Sequence, residues 1–427
     1  MKEELLHYVW RFQQYQLQNL QTTQGEPLLV VHPGLYNTHA GPDFLNGQIR
    51  LSNTLWYGHI EIHLRASDWL LHEHQQDPAY QNVILHVVLE EDQPIYRSNG
   101  TRIPCLELQT RVFPEVLRTY RKLYQRPWQI PCASLIQQVP HLTQMSWLDR
   151  MQTERLQIIA ERILQILQQN KGDWTQTRYQ WLARGFGLQV NQDPFELLAR
   201  QTPLPLVQRH RAQLDQLEAL FFGQAGLLAG NYQDEYPKDL QREYQFLQHK
   251  YQLSPIPVHN WKFSRMRPAS FPTIRLAQWA QLMHQRPSLW GDLMDVRHLE
   301  DVAQLFAVEA SSYWANHYRF DQIAAFQIKR MGRMMIHRMA INVLAPLYYA
   351  YGLQMSHDGY CQIAQQLLED IPAENNRVIR EWKKLNVVAQ HAGDSQALLQ
   401  LRRFHCDQQK CLTCAIGVWL LQHADKE

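Results

Sequence analysis

The sequence predicts an α+β protein: an N-terminal mixed sheet flanked by helices, followed by a larger, mostly α-helical region. Three observations carry this. Apolar residues alternate in DFLNGQIRL and LWYGHIEIHLR, as they do along strands with one buried face. NVILHVVLEE is a near-continuous β-branched run of the kind found in a strand covered on both faces. Beyond residue 112 the two-fold pattern gives way to helical spacing, clearest in MSWLDRMQTERLQIIAERILQILQQN and LVQRHRAQLDQLEALFFGQAGLLAG.

Taken in order, Leu5, Leu6, Val9, Trp10 and Phe12 fall at helical spacing, which predicts an amphipathic helix from residue 2 to about 20 with Glu3 and Glu4 in its first turn. PLLVVHPG reads as a short buried strand closed by Pro33 and Gly34. A hairpin follows, with Ser52-Asn53-Thr54 as its turn. ASDWLLHEHQQDPAYQN opens on a Ser-Asp cap and predicts a helix leading into NVILHVVLEE. IYRSNGTRIPCLELQT adds a last strand or two around Asn99-Gly100. These elements make a first domain of residues 1–112, and 113–427 a helical domain in which LSPIPVHNWKFSRMRPASFPTIRL runs as an extended surface crossing.

Composition narrows the function classes. Lys and Arg number 42 against 40 Asp and Glu, a net charge of +2, so global electrostatics give no argument for a nucleic-acid partner and local patches must carry it. No stretch approaches the roughly 20 apolar residues of a membrane span. The N-terminus MKEELLHYVW places acids where a signal peptide needs bases, so the expectation is a cytoplasmic protein with no membrane partner. Six cysteines in a chain of 427 residues then stand as core residues, nucleophiles or metal ligands rather than as a disulfide scaffold.

The chemistry-bearing stretch is GPDFLNGQIRLSNTLWYGHIEIHLR. Residues two apart on a strand project the same way, which puts Glu61 and His63 on one face, with Asp43 at the start of the adjoining strand. If the two strands pair, Asp43 and Glu61 converge, and their oxygens suit Mg²⁺ or Mn²⁺. Pro-Asp and Glu-x-His are also common on solvated strand faces, and that plain reading stays open. The order of a helix with an acid, a strand, a Pro-Asp hairpin ending in Glu-x-His, then helix and strand resembles the PD-(D/E)XK nucleases of the restriction-endonuclease-like superfamily. The resemblance implies that Asp43 and Glu61 hold metal, that Glu4 or Glu3 is the helix acid, and that His63 stands where lysine is usual. A histidine there is largely neutral at pH 7, a base or ligand rather than a fixed charge.

His32, His39, His59, His63, His72, His74 and His86 crowd this region. Surface and strand-end positions are the simpler account, because His72 and His74 would chelate one ion only if their segment were irregular. Near the C-terminus, RFHCDQQKCLTCAIG holds Cys406, Cys411 and Cys414 as C-x4-C-x2-C, a knuckle-like spacing for Zn²⁺ or, with four cysteines, an iron–sulfur cluster. His405, His423, Cys361, Cys132 and Cys105 are the options for a fourth ligand. The alternative is three buried thiols. Some nucleases with the PD-(D/E)XK core carry an iron–sulfur cluster, so the two features are compatible.

Basic residues interleave with aromatics at Lys262, Arg265 and Arg267, and cluster at Arg118, Arg121, Lys122 and Arg126, as contacts to DNA or RNA would require. Ion pairing with the equally abundant acids accounts for such runs too. NTHAGPDF, WYGHIEIH, SDWLLHEH and YQNVILHVV, continuing through LEALFFGQAGLL, ENNRVIREW and DSQALLQLRRFHC, resemble the bacterial family called domain of unknown function 2851 over nearly the whole chain. That resemblance implies one full-length architecture and no particular activity. The leading expectation is a divergent metal-dependent nuclease hydrolysing phosphodiesters. The alternatives are an inactive nucleic-acid or protein interaction module of the same fold, and a transition-metal hydrolase built on the histidines.

Overall fold

The computed structural model describes residues 2–125 and 130–424. It divides into two compact units, one of Met1–Leu148, Lys384–Asn386 and Leu401–Glu427, the other of Asp149–Lys383 and Val387–Gln400. The change from alternating to helical patterning at residue 112 therefore falls inside the first unit.

The first unit opens on helix α1 (Glu3–Arg11), which buries Leu5, Leu6, Tyr8, Val9 and Trp10. It is half the length that periodicity predicted. Gln13 takes a left-handed φ of 52°, after which Tyr15 bridges Val112 as an isolated β pair. The residues between 12 and 20 are mostly glutamine, with too few apolar side chains at helical spacing to extend the buried stripe.

Strands β1 (Leu28–His32), β2 (Leu35–Tyr36), β3 (Phe44–Leu51) and β4 (Thr54–Arg65) come next, then a short helix α2 (Asp68–Leu71) and strands β5 (Val83–Glu90) and β6 (Cys105–Glu107). The sheet order is β1-β3-β4-β5-β6, with β2 beside β3. β1, β3 and β4 are antiparallel, whereas β5 runs parallel to β4 and β6 parallel to β5. A parallel pair needs a crossover, and 66–82 supplies it.

Two details depart from the sequence reading. β1 is an edge strand with Leu29 and Val31 about half exposed, not a buried one. The helix expected over 67–82 stops at Leu71, because Glu73 adopts a left-handed φ of 60° and the chain continues as 3-10 turns at His74–Gln76 and Pro78–Tyr80. β5 matches its pattern, its first six residues all being buried. Gly58 lets β4 lie close to the chain entering β5, since a Cβ there would meet the Asn82 carbonyl at 2.5 Å. Helix α3 (Pro114–Tyr124) and a C-terminal helix, Ala415–Gln422, complete the unit. The Tyr8 hydroxyl donates to the Val418 carbonyl at 3.2 Å.

The second unit is helical, as expected, around an aromatic core in which Phe221 and Trp279 stack at 4.2 Å. The Pro-rich crossing is more anchored than predicted. Trp261 is buried with its indole N–H on the Ala225 carbonyl at 2.8 Å, and PTIRL begins a helix, Pro272–Gln285, buried on most faces. A small hairpin, His317–Arg319 with Gln322–Ile323, had no clear sequence signal. Among the described residues no helix is long and apolar enough to cross a membrane.

Candidate metal centre

Asp43 immediately precedes β3, and the register that sets Phe44 opposite Ile60 brings Asp43 level with Glu61. The Asp43 N–H donates to Glu61 Oε2 at 3.1 Å, and the Ile62 N–H donates to Asp43 Oδ2 at 3.0 Å. Each carboxylate is thus oriented by the other's strand, which is the convergence the hairpin predicted. Glu61 is 4% exposed. Among the described residues no lysine or arginine forms an ion pair with either acid, and the facing groups are imidazoles.

Five imidazoles gather here from five places along the chain. His7 on α1 sets Nε2 3.3 Å from Asp43 Oδ2. His63 on β4 and His74 in the first 3-10 turn place their Nε2 atoms 3.6 and 3.2 Å from Glu61 Oε1. His72, the residue after α2, has Nδ1 3.2 Å from His63 Nε2, and His86 on β5 has Nε2 2.9 Å from His63 Nδ1. Tyr80 stacks on His74 at 3.8 Å and Trp69 closes edge-on against it, fixing the ring. Ligand atoms of His63, His72 and His74 all lie within 4.8 Å of one another. The left-handed Glu73 is the irregularity that lets His72 and His74, two residues apart, face the same point.

Electrostatics follow from burial without a fixed counter-charge. Burial, then the Asp43 charge, pushes the Glu61 carboxyl up to about 9, against the pull of the Asp43 N–H and His7. Burial lowers His63 to about 2, helped by the imidazoles of His86, His74 and His72, and lowers His86 to about 3. His7 moves the other way: burial opposes its charge, but the hydrogen bond and charge of Asp43, with Glu3 and Glu61, outweigh it. The arrangement sets His63 and His86, which burial keeps neutral, beside a Glu61 carboxyl that burial keeps protonated, with a His7–Asp43 pair next to them.

The helix acid at the cluster is Glu3, not Glu4. Glu3 lies one helical turn from His7, with Oε1 3.9 Å from Nε2, whereas Glu4 is rotated by about 100° and is exposed. His63 is 1% exposed and held between two histidines. His7 escaped the sequence reading; its one available signal was the four-residue step from Glu3. His32 and His59 do not join the cluster: they accept backbone N–H groups from Gly34 and Asn46.

Cys406, Cys411 and Cys414 are buried and line one small cavity together with Cys132, and neither Cys105 nor Cys361 lines it. His423 hydrogen-bonds the Trp419 carbonyl instead. Arg118, Arg121 and Lys122 are exposed on α3 of the first unit, while Lys262, Arg265 and Arg267 are exposed in the second. Arg126 lies outside the described residues.

The sequence pattern of a family described as "Protein of unknown function (DUF2851)" matches residues 3–377, and the chain belongs to that family. No curated protein and no solved structure matches it.

Proposed function

We propose that this family member is a metal-dependent hydrolase of phosphodiester bonds, with a divalent ion such as Mn²⁺ held by His63, His72 and His74, and with Glu61 and Asp43 adjacent. The observation that carries the reading is the facing pair of Asp43 and Glu61, interlocked through backbone N–H groups and ringed by imidazoles rather than by lysine or arginine. The 3.2 Å between His63 Nε2 and His72 Nδ1 is that of neighbouring ligands on one ion, because bonds of about 2.1 Å set adjacent donors roughly 3–3.5 Å apart, and Glu61 Oε1 stands 3.2 Å from His74 Nε2 beside them. Imidazole donors favour Mn²⁺, Zn²⁺ or Fe²⁺ over Mg²⁺.

Such an ion supplies Lewis acidity, lowering the pKa of a bound water and offsetting charge that develops on a phosphate. Glu61 and His63 orient that centre, His86 holding the His63 ring by its other nitrogen. His7, whose proton affinity Asp43 raises, stands as the donor to a leaving oxygen. The element order α1, β1, β3 with Asp43, β4 with Glu61, α2, β5 agrees with the nuclease resemblance, and exposed Arg118, Arg121 and Lys122 offer phosphate contacts in the same unit.

Loss of the usual lysine to a buried, neutral His63 favours a second reading, a module that binds metal and nucleic acid without cleaving. One experiment separates the two: protein loaded with Mn²⁺ is incubated with single-stranded and duplex DNA and RNA beside Asp43→Asn. Cleavage by wild type alone supports the hydrolase, and Mn²⁺ binding without cleavage supports the module. Equal cleavage by both proteins means contamination.

A further inference from the structure

The cysteine cavity belongs to the first unit and has no part in the acid–histidine centre. Its four thiols come from two distant stretches of chain. Cys132 begins a turn in which its carbonyl accepts the Leu135 and Ile136 N–H groups at 2.9 and 2.8 Å. Cys406 ends a π-helical turn at Arg402–Cys406, Cys411 begins a 3-10 turn, and Cys414 caps the C-terminal helix at its N-terminus. Leu123, Pro131 and Gly417 complete an apolar lining, with His405 and Lys410 at its margin. Hydrophobic packing alone does not require four thiols at one point 270 residues and more apart in the sequence.

We infer that Cys132, Cys406, Cys411 and Cys414 together ligate an iron–sulfur cluster. Three features support this. Cys414 is the N-cap of the C-terminal helix, which sets it at the positive end of the helix dipole, a position that favours a thiolate. Gly417 is required there: a Cβ would stand 2.2 Å from the Cys411 carbonyl oxygen, so glycine alone lets the helix close over the knuckle. Lys410 borders the cavity, a positive charge that offsets part of the net negative charge of four thiolates on a cluster.

Spacing distinguishes a cluster from one zinc ion. Zn–S bonds of about 2.3 Å in a tetrahedron put sulfurs roughly 3.8 Å apart. Among the described residues, the histidine trio is the group of three such side chains whose ligand atoms all fall within 4.8 Å, and no three of the thiols meet that limit. All four nevertheless act on one another electrostatically. A wider ring suits a multi-iron cluster, in which each cysteine binds a different iron. Cluster assembly takes a proton from each thiol and ties residues 130–136 to the C-terminal segment within one unit.

The test is metal, sulfide and spectroscopic analysis of full-length protein purified without oxygen. The inference expects iron and acid-labile sulfide in equal amounts, visible charge-transfer absorbance, and a paramagnetic signal on one-electron reduction or oxidation. One zinc per chain without sulfide overturns the cluster, and neither metal overturns the site. Cys132→Ser should lose most of the iron while Cys361→Ser, outside the cavity, keeps it; equal iron in both removes Cys132 as a ligand. If Cys132→Ser fails to fold, the wild-type iron and sulfide content still decides. Iron loading of Asp43→Asn should equal wild type, which keeps this outcome separate from that of the proposed hydrolase.

Discussion

Of three buried glutamates among the described residues, two, one from each unit, show opposite solutions to the same problem. Glu196 in the helical unit is met by guanidinium groups of Arg162, Arg184 and Arg200 at 3.2, 2.6 and 3.3 Å. Glu61 in the sheet unit is equally buried and is met by imidazoles and by the backbone N–H of Asp43. A buried carboxylate must be paired or neutralised. Glu196 is paired by arginines, whereas burial and the Asp43 charge favour a proton on Glu61. The difference teaches where the proposed cation would act: at the acid that no arginine or lysine among the described residues pairs.

The sharpest way to break this contrast is to neutralise each acid. Glu61→Gln should remove metal-dependent cleavage by on the order of 10³-fold, since Lewis-acid stabilisation supplies several kcal/mol; Glu196→Gln should leave the rate unchanged, and initial rates with Mn²⁺ read both. His86→Ala should weaken Mn²⁺ binding by about 10–100-fold through loss of the His63 support, as titration calorimetry would record. Urea unfolding without metal should reverse the order. Glu196→Gln should cost about 1–3 kcal/mol, discounted because Arg162 and Arg200 are half exposed, while Glu61→Gln should change stability by less than about 1 kcal/mol, the native side chain being already protonated.

The pH dependence sharpens the comparison further. The folded Glu61 carboxyl, near 9, lies above its ordinary value of 4.5, so its contribution is complete below 4.5 and is lost as pH rises toward 9. The raised His7 adds to that loss with the same sign. His63 and His86, lowered to about 2 and 3 from 6.5, contribute stability that is present above 6.5 and lost as pH falls toward those values. Between pH 6.5 and 9 metal-free protein should therefore lose stability with rising pH. Saturating Mn²⁺ should flatten that slope and release close to one proton per ion, visible in calorimetry across buffers. The smallest effect belongs to the helix acids: Glu4→Gln should be silent in Mn²⁺ affinity, and Glu3→Gln should shift it by only two- to threefold, a few tenths of a kcal/mol.

Much of the sheet was legible because strands write their burial into every second residue. DFLNGQIRL, LWYGHIEIHLR and NVILHVVLEE became β3, β4 and β5, and Asp43 with Glu61 followed from pairing alone. The helices were less so. The stretch after Phe12 and the one after Leu71 both carry helix-forming residues, yet left-handed Gln13 and Glu73 end them. At Glu73 that break creates the site, since it turns His72 and His74 toward His63.

By itself the sequence determined which residue types were present to do chemistry, and on which strand faces they stood, because period-two and period-3.6 patterns are local. Only the tertiary structure decided which of them meet. His7 reaches Asp43 across 36 residues, His86 reaches His63 across a parallel crossover, and Cys132 joins thiols far along the chain. Such meetings depend on packing, which spends the local pattern's hydrophobic faces and leaves the partners of the polar residues to topology.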